Sequence, residues 1–246
     1  MSFSFFKKRV VVPDLSFIGV DMHSHLLPGI DDGLKTVEDT VRFVKELHAL
    51  GYKKLICTPH ILSGIHDNTP ETIGAALEKA RIALAEAEVP VTIEAAAEYM
   101  IDDEFERILK SGSKLLTFGK NYLLVEMSYL AEPFNLKEVL FELQMRGYKL
   151  ILAHPERYNF MHGNFKLYEA FRDRGILFQL NLLSMSGYYG KDVKKTCEKL
   201  IDAKMIEFLG TDMHHQNHLN ATKAFVATRE FLDLIGDVPF MNKSLL

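Results

Sequence analysis

His23 and His25 stand one residue apart at the end of an apolar run. Side chains two apart on an extended strand point to the same side, so both imidazoles can reach one metal ion. Alone, the H-x-H pattern is weak. Here Asp212 and His214 repeat the spacing after another apolar run, and His60, Glu98, Glu126 and His154 each follow a further one. Mixed imidazole and carboxylate donors suit Zn²⁺, Mn²⁺ or Fe and argue against a Ca²⁺ site, which is all oxygen. A cluster this rich, with acids able to bridge, implies two or three ions rather than one. Clustered cations lower the pKa of a bridging water and neutralise a transferring phosphoryl group.

Strand-length apolar runs alternate with helical patterns along the chain. The strand candidates are Phe17–Asp21, Lys54–Thr58, Val91–Ala96, Tyr122–Glu126, Lys149–Ala153, Leu177–Leu182 and Ile206–Gly210. They are nearly continuous apolar runs, as strands covered on both faces should be. Thr36 followed by Asp39 resembles a capping box, and Thr69-Pro70 is an N-cap before proline at the first helical position, opening a helix to about Glu88. Asn135 opens a helix that Gly147 ends, and further helices are predicted near Asp102–Lys110, Phe165–Arg174, Lys191–Lys204 and Asn220–Ile235. Gly112, Gly175 and Gly236 stand where C-terminal caps are expected. Seven strand–helix units predict an α/β fold with a parallel barrel or barrel-like sheet, an open doubly wound sheet being the alternative. In a parallel barrel the C-terminal strand ends share one face, where catalytic sites are built. Six of the seven strand ends carry a His or an acid there, and the sixth strand offers Asn181 instead.

Composition narrows the function classes. The chain of 246 residues is 48% hydrophobic and 25% charged, consistent with one large folded domain. Its net charge of −4 gives no sign of a nucleic-acid surface. Residues 1–16 read as an N-terminal tail, whose aromatic run precedes Lys7, Lys8 and Arg9, the reverse of a secretory signal. No segment approaches the length of a membrane span. Two cysteines, Cys57 and Cys197, provide no disulfide framework and fit a reducing cytoplasm. Neither is followed by the Arg six positions on that a cysteine-dependent phosphatase needs; those positions are Ser63 and Ala203.

The segments DMHSHLLPGIDDG (Asp21–Gly33), CTPH (Cys57–His60), AAAEYMID (Ala95–Asp102), LLVEMSY (Leu123–Tyr129), LAHPERY (Leu152–Tyr158), the Asn181–Gly190 region and GTDMHH (Gly210–His215) resemble, in order, the PHP (polymerase and histidinol phosphatase) superfamily. They are most similar to its bacterial protein-tyrosine phosphatase branch, associated with capsule and exopolysaccharide synthesis. The resemblance runs from residue 21 to 215 and implies a distorted parallel (βα)7 barrel of TIM-barrel type as a single domain. It implies a trinuclear site: a first ion held by His23, His25, Glu98 and Asp212; a second by Glu98, Glu126 and His154; a third by Asp32, His60 and His214. Manganese is the first expectation, with iron or zinc as alternatives. Arg157 matches the arginine that holds the substrate phosphate.

The activity so implied is hydrolysis of phosphotyrosine on proteins by a hydroxide bridging the ions, in regulation of capsular or exopolysaccharide synthesis. The expected partner is a phosphotyrosine protein, such as a tyrosine kinase of polysaccharide export, in the cytoplasm, with room for an oligomer. A PHP phosphatase of a small monoester such as histidinol phosphate or a nucleotide, a metal-binding regulator without turnover, and a replication-linked nuclease are the alternatives. One departure stands out. The branch carries a further Arg just beyond the last metal-binding His, whereas this chain has His215-Gln216-Asn217-His218-Leu219. His218 either contacts phosphate in its place or is an ordinary loop histidine. Loops Ile61–Asn68, Ser128–Phe134 and Ser184–Gly190 are expected to form the walls of the site, with Tyr129, Tyr188 and Tyr189 available to stack on an aromatic leaving group. His48, His66 and His162 read as structural or solvent-facing.

Overall fold

A computed structural model describes residues 14–236 and 238–246; most of the expected N-terminal tail lies outside the described residues. The sequence folds as strand, helix, strand from one end to the other, and every strand pairing is parallel. The first half comprises β1 (Val20–Asp21), α1 (Val37–Ala49), β2 (Lys54–Cys57), β3 (His60–Ile61), α2 (Pro70–Glu86), β4 (Thr92–Ala95), β5 (Glu98–Met100) and α3 (Asp103–Lys110). There follow β6 (Tyr122–Glu126), α4 (Leu136–Met145), β7 (Lys149–Ala153), α5 (Phe165–Asp173), β8 (Leu177–Asn181), α6 (Lys191–Asp202), β9 (Phe208–Gly210), α7 (Gln216–Val226) and α8 (Arg229–Ile235).

The caps behave as their chemistry dictates. Thr36 accepts from the Asp39 N–H, Thr69 and Thr72 form a reciprocal capping box, and Asp102 accepts from the Phe105 N–H, each satisfying first-turn donors. One expected helix divides. Thr228 accepts from Phe231 N–H as a new N-cap, so the Asn220–Ile235 prediction becomes α7 and α8. Gly112 and Gly175 take positive φ as C-terminal caps should, whereas Gly236 stays right-handed.

The expected closed seven-strand ladder is instead two parallel sheets, in the orders β1-β2-β4 and β3-β5-β6-β7-β8-β9. Two of the expected strands, Lys54–Thr58 and Val91–Ala96, are each followed after a break by a second paired segment that was not expected. Pro59 has no N–H and cannot continue the ladder from β2, so pairing resumes at His60 as β3. β4 pairs with β2 alone, while β5, after a break at Ala96–Ala97, pairs with β3 and β6. At the other seam, the side chain of buried Asn242 takes the place of a ladder. Its amide donates to the Val20 and Leu209 carbonyls (2.8 and 2.7 Å) and accepts from the Leu209 N–H. Beyond it the ends of β1 and β9 meet again: Asp212 N–H donates to His23 O, and His25 N–H to Met213 O.

Strands β2, β6, β7, β8 and β9 feed two apolar clusters from their two faces. Leu123 and Val125 of β6 join the large cluster under the helices; Leu124 joins Val20, Met22, Ile56, Ile151, Ala153 and Phe208 in a smaller one. This explains why the strand segments are apolar at every position rather than at alternate ones. Leu15, just before the first strand, is buried in the larger cluster. Among the described residues no helix is long and apolar enough to cross a membrane.

Candidate metal centre

The strand ends converge. Four groups of donor atoms lie close enough to hold an ion: His25, Asp32, His60 and His214; His23, His154 and Asp212; His23, His25 and Glu98; His60, Glu98 and Glu126. Together they contain all nine residues expected from the sequence, on six strand ends and the loop after β1. The distances do not divide the donors among ions in the same way as the resemblance does. His60 lies beside Glu98 and Glu126 (Nδ1 to oxygen, 3.2 and 3.0 Å) as well as near Asp32, and His23 groups with His154.

Local backbone directs two of these side chains. His154 and Asp212, the residues that follow β7 and the Gly210-Thr211 end of β9, have φ of +32° and +50°. Non-glycine residues avoid that region at a cost on the order of 1–3 kcal/mol, and such strain gathers at functional sites. It turns the chain sharply after the strand.

Hydrogen bonds fix how the imidazoles present themselves. His23 Nδ1 lies 2.8 Å from Gln179 Oε1, an oxygen that also accepts the His154 N–H (3.2 Å). That second contact identifies the atom as the amide oxygen, so His23 Nδ1 is the donor and its Nε2 carries the lone pair. His25 Nδ1 donates to Asp31 Oδ2 (2.8 Å), and His214 Nδ1 to Asp212 O (2.9 Å). Carboxylate or carbonyl partners of this kind orient metal-binding histidines and raise their basicity.

The Nε2 atoms of His23 and His25 therefore face one another at 3.3 Å, lone pair towards lone pair, with Glu98 Oε2 at 3.2 and 3.4 Å from them. Such a cluster is stable only around a shared cation or an extra proton. Glu98 Oε2, His60 Nδ1 and His154 Nδ1 are buried and lack any hydrogen-bond partner. Buried polar atoms are rarely left so, and a site for an ion is one standard reason. The donor set thus fits divalent cations.

The proton affinities show the same charge balance in the metal-free chain. Burial opposes a charge on His23, but the Glu98 and Asp212 carboxylates raise its pKa to about 9. Burial likewise opposes a charge on His60, while Glu98 and Glu126 push it up to about 10. Glu98 and Asp212 are held well below the usual carboxylate range: burial works against their charge, but the surrounding histidines, and Arg157 beside Asp212, overcome it. Glu126, buried beside Glu98, is raised to about 7.

A cavity of about 410 Å³ opens over this centre, lined in part by Asp32, His60, Glu126, His154, Asp212 and His214. Arg157 points into it, its Nη1 donating to Asp212 Oδ2 (2.7 Å). Tyr129, Tyr189 and His218 also line it, but Tyr188, 43% exposed, does not; it packs edge-on against Tyr189 and His218. His218 Nδ1 accepts the His214 N–H (3.3 Å), leaving its proton on Nε2. Burial, then His215, lower its pKa to about 4, so it is neutral and brings no replacement for a guanidinium charge.

His66, read from sequence as structural or solvent-facing, lines the cavity and stacks on His60 at 5.6 Å. His48 and His162 do have structural partners, the Tyr52 and Glu156 carbonyls. Sequence reasoning missed three supporting residues: Gln179, Asp31 as the anchor of His25, and Glu156. Glu156 is fully buried; its Oε1 accepts from Ser184 Oγ (2.6 Å) and Asn181 N–H (3.0 Å), pinning the Arg157 segment to the end of β8. The only available signal was that Gln179 and Asn181 lie two apart on the strand without a ligand. Gln179→Leu, which removes the His23 anchor at similar volume, is expected to weaken Mn²⁺ binding about 10–100-fold, measured by chelator competition. Unchanged affinity would show that His23 is oriented by packing alone.

Residues 19–228 match the family described as "Capsular polysaccharide synthesis, CpsB/CapC". The chain is 27% identical over 225 residues to the tyrosine-protein phosphatase YwqE of Bacillus subtilis (strain 168), covering 90% of this chain and 87% of that protein. It is 26% identical over 202 residues to the tyrosine-protein phosphatase CpsB of Streptococcus pneumoniae, covering 80% and 83%. Its fold superposes with a TM-score of 0.77 and 24% identity, over 92% of this chain and 95% of the other, on a crystal structure from work on YwqE and CpsB, there called unique metal-dependent tyrosine phosphatases. With 210 consecutive residues matched and the shared fold, the chain belongs to the CpsB/CapC family of capsular polysaccharide synthesis.

Proposed function

We propose that this protein is a metal-dependent phosphatase that hydrolyses phosphotyrosine on proteins and thereby regulates capsular or exopolysaccharide synthesis. One observation carries the reading: nine imidazole and carboxylate donors, several of them buried and unpartnered, converge beneath a cavity into which one fixed arginine points. Membership of the CpsB/CapC family and the relatives named as tyrosine-protein phosphatases supply the substrate class.

His23, His25, Glu98 and Asp212 would hold a first ion, Glu98, Glu126 and His154 a second, and Asp32, His60 and His214 a third. The mixed donor set suits Mn²⁺ first, with Fe or Zn²⁺ as alternatives. Bound there, the ions supply an activated water and offset the charge of the phosphoryl group. The chain's own residues do the rest. Gln179, Asp31 and the Asp212 carbonyl take the Nδ1 protons of His23, His25 and His214, so that Nε2 of each is aimed at the cluster. Asp212 turns Oδ1 to those histidines and Oδ2 to Arg157 and Asn181, coupling the metal centre to the phosphate anchor. Arg157 holds two phosphate oxygens in a bidentate contact. His218 offers a single neutral N–H from the wall. On this reading the two sheets together form one distorted seven-strand barrel, sealed by Asn242 at the β1–β9 seam. The phosphoprotein is a tyrosine kinase of polysaccharide export, met in the cytoplasm, where two free buried cysteines are at home.

The test is phosphate release from a phosphotyrosine peptide, with histidinol phosphate in parallel, by protein stripped with chelator and reloaded with Mn²⁺. Activity is expected on the peptide, lost on stripping and restored by the metal. Iodoacetamide is expected to leave it intact, because burial pushes the Cys57 thiol up to about 12. Turnover of histidinol phosphate alone would move the substrate and keep the site; bound metal without turnover of either would sink the enzymatic reading.

A further inference from the structure

The guanidinium of Arg157 lies between two tyrosine rings, 4.2 Å from the centroid of Tyr189 and 4.8 Å from that of Tyr129. The rings come from different parts of the chain, the loop after β6 and the connection between β8 and α6. Tyr129 is held in turn by its neighbours. It packs at 5.9 Å, tilted by 31°, against Tyr158, whose hydroxyl bonds Ala153 O and Met127 N–H, and its own carbonyl accepts the Asn159 N–H. Tyr189 packs edge-on against Tyr188 and His218, with Asn181 Nδ2 at 3.5 Å from its hydroxyl.

An arginine side chain is rich in rotamers and loses that freedom when it grips a ligand. Here two ring faces lie against the guanidinium and Asp212 holds its Nη1, before any substrate arrives. One of five N–H groups is used by Asp212, and the others remain for phosphate. The ring faces turned to Arg157 are not available to stack on a leaving group, the role expected of Tyr129 and Tyr189 from sequence. The same arrangement explains how this chain manages with one arginine where its branch is expected to carry two: a single guanidinium held in the binding orientation loses less entropy on binding than a free one.

We propose that Tyr129 and Tyr189 are positioning residues that pre-set Arg157 for phosphate, not contacts for the aromatic part of the substrate. The proposal rests on the phosphatase reading for its ligand, a phosphate dianion, but its test does not require turnover.

The Mn²⁺-loaded holoprotein would be titrated with inorganic phosphate, which has no aromatic group, by calorimetry, and its KM and kcat measured with a phosphotyrosine peptide. Tyr189→Leu is expected to weaken phosphate binding and raise KM together, each about tenfold, the scale of a desolvated cation–π contact. Tyr189→Phe, which keeps the ring, is expected to stay within about twofold of the parent. In an Arg157→Ala background Tyr189→Leu should change nothing further, because the ring acts through the arginine. Tyr129→Leu is expected to follow Tyr189→Leu and provides a second route should one variant fail to fold. Phosphate affinity unchanged in the Leu variants while KM for the peptide rises would overturn the proposal and return the rings to the leaving group. A Phe variant as impaired as the Leu variant would also overturn it, placing the role in the hydroxyl. If the holoprotein binds phosphate with this pattern yet hydrolyses no phosphomonoester, the phosphatase reading fails and the clamp stands.

Discussion

Glu98→Gln is expected to lower turnover of a phosphotyrosine peptide by about a thousandfold or more, equivalent to about 4 kcal/mol of lost transition-state stabilisation. Glu98 opens β5 fully buried, with four imidazoles around its two oxygens. Oε1 is 3.0 Å from His154 Nε2; Oε2 is 3.2 Å from His23 Nε2 and His60 Nδ1 and 3.4 Å from His25 Nε2. No other carboxylate among the described residues has as many imidazoles within 3.4 Å, so this side chain would contribute to more than one of the donor groups. Glutamine keeps the volume but offers one ligand oxygen instead of two and points an NH₂ at lone pairs or at a cation. Metal content measured by elemental analysis should fall together with activity, while the circular dichroism spectrum should not change. Glu126→Gln, with a single imidazole at 3.0 Å, should cost less. A Glu98→Gln protein with full metal content and parent activity would show that the metal centre does not depend on this carboxylate; one that loses its metal yet keeps parent activity would remove the metal centre from the mechanism.

Gly33→Ala is expected to destabilise the protein by about 3 kcal/mol, the upper end for overpacking. For a chain of this size that is a fall in Tm of about 10 °C. The reason is close approach. A Cβ on Gly33 would stand 2.1 Å from the carbonyl oxygen and 2.6 Å from the Cβ of His25, which no rotamer change relieves. The Leu34 N–H bonds that same carbonyl (3.1 Å) and the Gly33 N–H bonds Asp31 Oδ1 (2.9 Å), so the loop cannot withdraw without releasing both. That loop carries Asp31, which orients His25, and Asp32, which faces His60 and His214. Mn²⁺ affinity should therefore drop along with stability, read by calorimetry on the folded variant below its Tm. Parent-like melting would mean that the loop is looser than its contacts indicate.

Much of this site could be read from local pattern, and the physical reason is locality itself. A strand covered on both faces must be apolar throughout, a helix must satisfy its first N–H groups within a few residues, and two side chains on one face of a strand must be two apart. Those requirements wrote the β6 and β7 segments, the Thr36, Thr69 and Asp102 caps, and the His23-x-His25 and Asp212-x-His214 spacings into the chain. The family motifs extended this to Asp32, a loop residue that no strand-end argument reaches. Tertiary structure decided what depends on partners far away in the chain. Gln179 meets His23 across 156 positions, and Asn242 meets Val20 across 222. Nothing in the spacing of either residue announces such a contact, because the energy of a buried hydrogen bond depends on where the two groups are brought, not on their neighbours in sequence. For the same reason Tyr129 reads as a stacking surface for substrate until the fold places Arg157 against its face, and a proline at position 59 reads as a strand end until the ladder is seen to resume beyond it.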